Sequence, residues 1–164
     1  MEPLEQLIKP FLDVTLNAFQ SFVGCELSPR HPYFADPESD FKADISGVTG
    51  VIGLSGVIRG AVIVSMSKST AIKVTDMLIG EPHTELDGDV VDAIGEIVNI
   101  IAGNIKQKIA EGDGIVISLP TVIKGKEHSI VWPSNQERIL CIPFKIFDND
   151  VFHLMVTIER KDKI

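Results

Sequence analysis

A 26-residue stretch in the second half of the chain constrains the fold most, because its hydrophobic residues repeat with the period of an α-helix. The stretch is DVVDAIGEIVNIIAGNIKQKIAEGDG, residues 89–114. We expect a helix from Val90 to Glu111 with Asp89 as its N-cap. Residues three and four positions apart then share a face, which predicts a continuous core-facing stripe. Its members are Val91, Ile94, Val98, Ile101, Ile105 and Ile109.

The side of this helix opposite the stripe combines polar side chains with very small ones. Its ridge consists of Asp92, Glu96, Asn99 and Gly103. Gly95 also leaves bare backbone beside it, and Ile100 lies within about 40° of Glu96 on the helical wheel. Each interior glycine costs about 1 kcal/mol relative to alanine, so a reason beyond helix stability is needed. Two such reasons remain open: another molecule approaches the ridge, or a neighbouring helix of this chain packs there.

Each polar residue of the ridge also has an ordinary explanation when it is taken alone. Glu96 and Asn99 are residue types common on solvated helix surfaces. Asp92 near the start of the helix is favourable to the helix dipole. If the ridge is instead a contact surface, we expect Asp92, Gly95, Ile100 and Gly103 to touch the partner.

Two further helices are predicted on either side of the first strand region. Residues 3–23 have helical spacing after Pro10, and Gly24 is a suitable end. Ser69 is expected to cap a short helix over residues 70–80.

The remaining hydrophobic stretches alternate with the period of β-strands. Residues 43–66 are rich in Val and Ile and predict two or three antiparallel strands, with turns at Gly53 and Gly56. The stretches RILCIPFKIF and DVFHLMVTIER are two more strands, joined by an Asp-Asn turn. The order of elements predicts one α+β domain over residues 1–164, with an antiparallel sheet and two long helices on one face.

The chain also contains a weak internal repetition. Four polar or glycine positions of the first helix have the same offsets as the four ridge positions of the long one. This supports the hypothesis of a pseudo-repeat of helix–strands units whose first copy has lost its acid. The matching sets are Asp13, Asn17, Gln20, Gly24 and Asp92, Glu96, Asn99, Gly103.

Charge and composition argue against several classes of protein. A net charge of −8 disfavours nucleic-acid binding, which needs a basic patch. There is no apolar run of membrane-spanning length and no basic segment before an apolar block at the N-terminus. The scattered histidines predict no metal site, and Cys25 and Cys141 are expected to be buried reduced thiols. We therefore expect a cytoplasmic protein.

The segment DAIGEIVN, residues 92–99, resembles the signature of the CheC/CheX/FliY family of bacterial chemotaxis phosphatases. Pro120 lies near the place of the proline in that signature. AIGEIVNIIAGNI, LPTVIKG and GVTGVIGLSGVIRGAVIVSMS are similar to the CheX branch, so the resemblance covers nearly the whole chain.

This resemblance implies a hydrolase that removes the phosphoryl group from an aspartate of a CheY-type response regulator. It implies that Asn99 positions the attacking water and that Glu96 pairs with a lysine of the regulator. It also implies that the protein has no cofactor of its own, that Mg²⁺ belongs to the regulator, and that two copies form a homodimer through sheet edges. The alternative is a non-catalytic module on the same fold that binds a regulator or the flagellar switch.

Overall fold

The computed structural model describes residues 3–35, 41–42, 47–109, 114–125, 128–130 and 138–161. Within these residues the chain forms three α-helices and ten β-strands. The helices are α1 (Pro3–Ala18, continued by a π-helical turn over Phe19–Val23), α2 (Lys68–Ile79) and α3 (Gly88–Lys108). The strands are β1 (Leu27–Pro29), β2 (Tyr33–Ala35), β3 (Phe41–Lys42), β4 (Gly47–Gly56), β5 (Ile58–Ser67), β6 (Ile115–Ile117), β7 (Thr121–Gly125), β8 (Ser129–Ile130), β9 (Ile139–Ile146) and β10 (Asp150–Arg160).

One antiparallel sheet of eight strands dominates the fold. Its order is β1-β9-β10-β5-β4-β6, with β2 also paired to β9 and β7 also paired to β4. The hairpins β4–β5 and β9–β10 form its centre, where β5 pairs with β10. A separate pair, β3 with β8, completes the described strands. None of the described helices is long and apolar enough to cross a membrane.

The sheet order supports the predicted pseudo-repeat. Each half of the chain runs from a long helix through two short edge strands to a long hairpin. The edge strands β1 and β2 pair with β9 of the second half, and β6 and β7 pair with β4 of the first. The halves thus exchange their edge strands, and α2 lies between the halves. Within the repeat the two glycines differ, because Gly24 ends the π-helical turn at φ 84° whereas Gly103 is inside α3.

The helices pack on one face of the sheet, as predicted. Along β5, Val62, Val64 and Met66 belong to the core that includes the helices, while Ile63 belongs to a smaller cluster on the other face. This alternation follows from the two-residue period of a strand. The smaller cluster consists of Ile63, Ile139, Cys141 and Met155, and none of the described helical residues contributes to it.

Three stacked aromatic rings fix the end of the first helix on the sheet. Phe19 in the π-helical turn stacks on Phe152 with ring centroids 4.8 Å apart. Phe144 on the neighbouring strand stacks on the same ring at 5.3 Å. All three side chains are fully buried, so they contribute large apolar area as well as ring stacking. Cys25 and Cys141 are buried free thiols, as expected.

The ends of two helices differ from the prediction. Ser67, not Ser69, is the N-cap of α2 and accepts a hydrogen bond from the Thr70 amide at 3.2 Å. Pro10 lies inside α1 instead of preceding it. A proline in the interior removes one helical hydrogen bond, which the long buried face of α1 tolerates.

The predicted turn at Gly53 is wrong. Gly53 lies inside β4 and pairs with Ala61 of β5. The chain reverses three residues later, where Gly56 has φ 99°, a conformation that favours glycine. The predicted turn between the last two strands is confirmed at residues 147–149.

Candidate functional site

The long helix α3 begins earlier than predicted. Its N-cap is Asp87, whose side chain accepts a hydrogen bond from the Val90 amide at 3.1 Å. Asp89 is therefore already in the first turn. The helix ends at Lys108, because Ile109 has an extended backbone; the expected end at Glu111 lies outside the described residues. The polar ridge still lies opposite the core-facing stripe, as predicted, because this depends on the helical period and not on where the helix starts.

The buried face of α3 is wider than the predicted stripe. Ile94, Val98, Ile101 and Ile105 are buried as expected, whereas Val91 and Ile109 are half-buried. α3 contacts α1, α2 and β4, so further residues are buried on both sides of the stripe. These are Val90, Ala93, Gly95, Ile97 and Ala102.

The polar side chains of the ridge form one wall of a cleft of about 500 Å³. Asp92 and Glu96 are exposed, and Asn99 is half-buried. The opposite wall comes from the segment between β6 and β7, where Leu119 and Pro120 lie. The cleft is lined by Val91, Asp92, Gly95, Glu96, Asn99, Leu119, Pro120 and Val122. The structure therefore brings together Asp92, Glu96, Asn99 and Pro120, the four positions of the signature that the sequence resembles.

The opposite wall is a bulge in the edge of the sheet. Strands β6 and β7 both pair with β4, but residues 118–120 face only residues 52–53 of β4. Three residues opposite two is the excess that defines a β-bulge. The bulged segment therefore leaves the line of the edge, and Leu119 and Pro120 reach the cleft beside α3.

Ser118 fixes the shape of this bulge. Its amide donates to the Gly53 carbonyl at 2.9 Å, and its hydroxyl oxygen accepts from the Gly53 amide at 2.9 Å. The same hydroxyl donates to the Leu119 carbonyl at 2.9 Å. Pro120 adds rigidity because its ring fixes φ. Sequence reasoning missed Ser118 and Leu119, although a serine and a proline between two strand-like stretches signal a break in a strand.

Gly103 in the ridge and Gly95 beside it have different surroundings. A Cβ on Gly95 would lie 3.5 Å from Val122 Cγ2 and 3.8 Å from Pro120 Cγ. Gly95 thus gives room to the opposite wall of the cleft, and not to a neighbouring helix of this chain. Apart from its own helix backbone and chain neighbours, a Cβ on Gly103 would meet no atom of the described residues within 4 Å. Gly103 and Ile100, which packs partly against the core, lie outside the lining of the cleft.

The cleft is acidic and its polar side chains are available to a ligand. Among the described residues, Asp92, Glu96 and Asn99 have no hydrogen-bond or ion-pair partner in the chain. The described lining has two carboxylates and no cationic side chain. Such a surface is complementary to a basic group on a partner.

His83 connects the last turn of α2 to the first turn of α3. Its Nδ1 lies 2.8 Å from an oxygen of Asp76, and its Nε2 lies 3.0 Å from an oxygen of Asp89. The hydrogen bond to Asp89, followed by that to Asp76, raises the pKa of His83 to about 9. The histidine is therefore charged at neutral pH. The Asp89 carboxylate is thus engaged by His83, while Asp87 caps the helix.

The same histidine modifies the expectation about metal sites, which considered only spacing between histidines. Ligand atoms of His83, Asp87 and Asp89 lie within 4.8 Å of one another. Both ring nitrogens already lie within hydrogen-bond distance of carboxylate oxygens. An oxygen of Asp87 accepts the N-cap hydrogen bond from the Val90 amide. The contacts of this group are accounted for by its role in joining α2 to α3.

A sequence model of a protein family, described as chemotaxis phosphatase CheX, matches residues 48–145. The match spans more than half of the chain and includes α3 and both walls of the cleft. The chain belongs to the CheX family. The resemblance carried by the segment at residues 92–99 is thereby confirmed.

Individual relatives agree with this membership. The CheY-P phosphatase CheX of Thermotoga maritima is 34% identical over 111 residues, which cover 66% of this chain and 70% of the relative. The crystal structure of CheX from Desulfovibrio desulfuricans has a TM-score of 0.81 at 28% identity, covering 94% of this chain and 99% of the other. A complex of CheX with CheY, BeF₃ and Mg²⁺ from Borrelia burgdorferi has a TM-score of 0.77 at 25% identity, covering 93% and 97%. The predicted fold class is confirmed by these CheX structures.

Proposed function

We propose that this chain hydrolyses the aspartyl phosphate of a phosphorylated CheY-type response regulator. The observation that carries the proposal is that Glu96, Asn99 and Pro120 line one cleft, where both polar side chains lack a partner among the described residues of the chain. Support comes from the relatives, one of them a CheY-P phosphatase and another a CheX in complex with CheY. We further propose that the two proteins meet in the cytoplasm, as a role in chemotaxis implies.

In this proposal, Asn99 positions the attacking water. Phosphoryl transfer requires mainly positioning and charge stabilisation from the protein, and an acyl phosphate is already activated. An amide both donates and accepts hydrogen bonds without carrying charge, so it can hold a water in line with the phosphorus. A carboxylate at the same position would repel the phosphoryl oxygens. Asn99 is half-buried, which limits its freedom to leave that position.

Glu96 docks the regulator, one helical turn before Asn99. Its exposed carboxylate would pair with a lysine of the regulator, and Asp92 one turn earlier extends the same acidic surface. We propose that Mg²⁺ is held by the regulator. In that arrangement the metal would neutralise phosphoryl charge, while this chain would contribute the water-positioning amide and the docking carboxylate.

The decisive experiment follows the decay of the phosphorylated regulator with the wild type, Asn99→Ala and Asn17→Ala. Asn17 is an exposed asparagine on α1 and is the matched control. Asn99→Ala should lower the rate constant for dephosphorylation about 10²-fold or more, while regulator affinity stays within a few-fold. Its stability should change by less than about 1 kcal/mol, because alanine is the better helix former. Asn17→Ala should dephosphorylate at the wild-type rate.

Two results would contradict the proposal. Equal decay with and without the wild-type protein would leave a non-catalytic regulator-binding module as the better description. Near-normal turnover by Asn99→Asp would contradict the amide mechanism, because this nearly isosteric change alters only charge and donor capacity.

Glu96→Ala tests docking separately from chemistry. The variant should bind the phosphorylated regulator more weakly, since losing one member of a partly desolvated charge pair costs roughly 2–5 kcal/mol. It should remain folded, because Glu96 is exposed. A large drop in melting temperature with unchanged affinity would instead make Glu96 a structural residue.

A further inference from the structure

The rim of the cleft opposite α3 presents a large apolar side chain to solvent. Leu119 is 88% exposed, more than any other large hydrophobic side chain among the described residues. Its neighbours in the lining, Pro120 and Val122, are apolar as well. A single exposed leucine is ordinary on a protein surface. Leu119 differs because of how it is held and what it faces.

The backbone that carries Leu119 is fixed by the bulge. The Leu119 carbonyl accepts a hydrogen bond from the Ser118 hydroxyl, and Ser118 is itself bonded twice to Gly53. Pro120 restricts the next residue. A side chain presented on a fixed backbone loses less conformational entropy when it is buried by a partner, so its burial contributes more to affinity.

The two rims of the cleft differ in chemistry. The α3 rim carries the exposed carboxylates of Asp92 and Glu96, and the bulge carries Leu119. A partner that fits both must present a cation toward α3 and an apolar side chain toward the bulge. Contacts on two opposite rims also fix how the partner is rotated about the cleft, which a single ion pair cannot do.

We infer that Leu119 is an apolar anchor for the CheY-type regulator, in addition to the contacts made by Glu96. The inference rests on the proposed function and names a second docking point for the same site. Charge complementarity of the α3 rim selects the partner, and burial of Leu119 orients it so that the phosphoryl group meets Asn99. Leu119 is a docking residue and takes no part in the chemistry.

The test compares Leu119→Ser with Val116→Ser. Val116 is 60% exposed on β6, three residues before Leu119, and does not line the cleft. Binding is measured with the BeF₃⁻-activated regulator, and turnover is measured from the decay of the phosphorylated regulator. Leu119→Ser should raise Kd and KM about tenfold or more, the effect expected when an apolar side chain that the partner buries is lost, with kcat unchanged. Val116→Ser should match the wild type, and neither change should lower the melting temperature.

The outcomes separate this inference from the proposed function. If the wild type accelerates decay but Leu119→Ser has wild-type Kd and KM, the anchor is overturned while the proposed function stands. A fall in kcat with unchanged Kd would also overturn it, because Leu119 would then act on the chemistry. If Leu119→Ser converts a dimer to a monomer in sedimentation, the side chain belongs to a contact between two copies and the anchor is overturned. A wild type that neither binds nor dephosphorylates the regulator overturns both.

Discussion

Replacing Gly95 with alanine should stabilise the protein and obstruct its cleft. Alanine is favoured over glycine in a helix interior by about 1 kcal/mol. The added methyl would lie 3.5 to 3.9 Å from atoms of Val122 and Pro120, which is ordinary van der Waals contact and causes no clash. Burying a methyl group contributes up to about 0.8 kcal/mol more. The free energy of unfolding should therefore rise by about 1–2 kcal/mol, and the melting temperature by about 2–8 °C for a chain of this size.

The same methyl fills space between the two walls of the cleft. Gly95 lies between Asp92 and Asn99 on α3, and its added Cβ would point at the opposite wall. We therefore expect slower dephosphorylation by Gly95→Ala despite its higher stability, an exchange of function for stability that is common at active sites. Gly103→Ala is the matched control, because its Cβ would point into space that is open among the described residues and Gly103 does not line the cleft. It should gain about 1 kcal/mol from helix propensity alone.

Thermal unfolding and phosphatase assays on the two variants test both effects, the gain in stability and the loss of activity. If Gly95→Ala melts below the wild type while Gly103→Ala melts above it, the wall is packed more tightly on α3 than the distances indicate. If Gly95→Ala retains full activity, the space above Gly95 is not used by the regulator, and the assignment of this glycine to the site is wrong.

Three further predictions concern the helix cap, the charged histidine and the oligomeric state. Asp87→Ala should lower the free energy of unfolding by about 1 kcal/mol because it removes the N-cap of α3, whereas Asp87→Asn should be nearly neutral; equal losses in urea titrations would contradict this. The pKa of His83 is raised from 6.5 to about 9 by Asp89 and Asp76, so its stabilising contribution is complete below about pH 6.5 and is lost as the pH rises through about 9. An NMR titration of the ring should give a midpoint near 9, His83→Gln should remove this part of the pH dependence of unfolding, and a midpoint near 6.5 would refute the assignment. Finally, we expect a homodimer through sheet edges, which sedimentation at micromolar concentration should show as twice the monomer mass of 17.9 kDa; a monomer throughout that range would contradict it.

The sequence alone determined the periodicities of this protein and their local consequences. A helical period over residues 89–114 places Glu96 and Asn99 on one side and Ile94, Val98 and Ile101 on the other, whatever the rest of the chain does. Alternating strands and the order of elements likewise predicted the antiparallel sheet with helices on one face. These features depend on residues a few positions apart, so a single sequence is enough to recognise them.

Competition between nearby residues limited the prediction of element ends. Asp87 and Asp89 are equally good caps by residue type, and Ser67 and Ser69 are too. At α3, Asp87 caps the helix while His83, joined to α2 through Asp76, engages the Asp89 carboxylate. The first turn thus takes part in a contact between two helices, which local sequence does not reveal.

Only the tertiary structure decided what stands opposite the ridge of α3. The expectation of a neighbouring helix or a partner at Gly95 was incomplete, because the residues that face it are Pro120 of the bulge and Val122 of β7, about 25 residues later. That bulge exists because β6 and β7 pair with β4 in registers that leave three residues facing two, with Ser118 bonded to Gly53. The register is set by pairing between strands about 65 residues apart in the chain. Ser118 and Pro120 signal a break in a strand, but they do not show which residues of β4 the break faces.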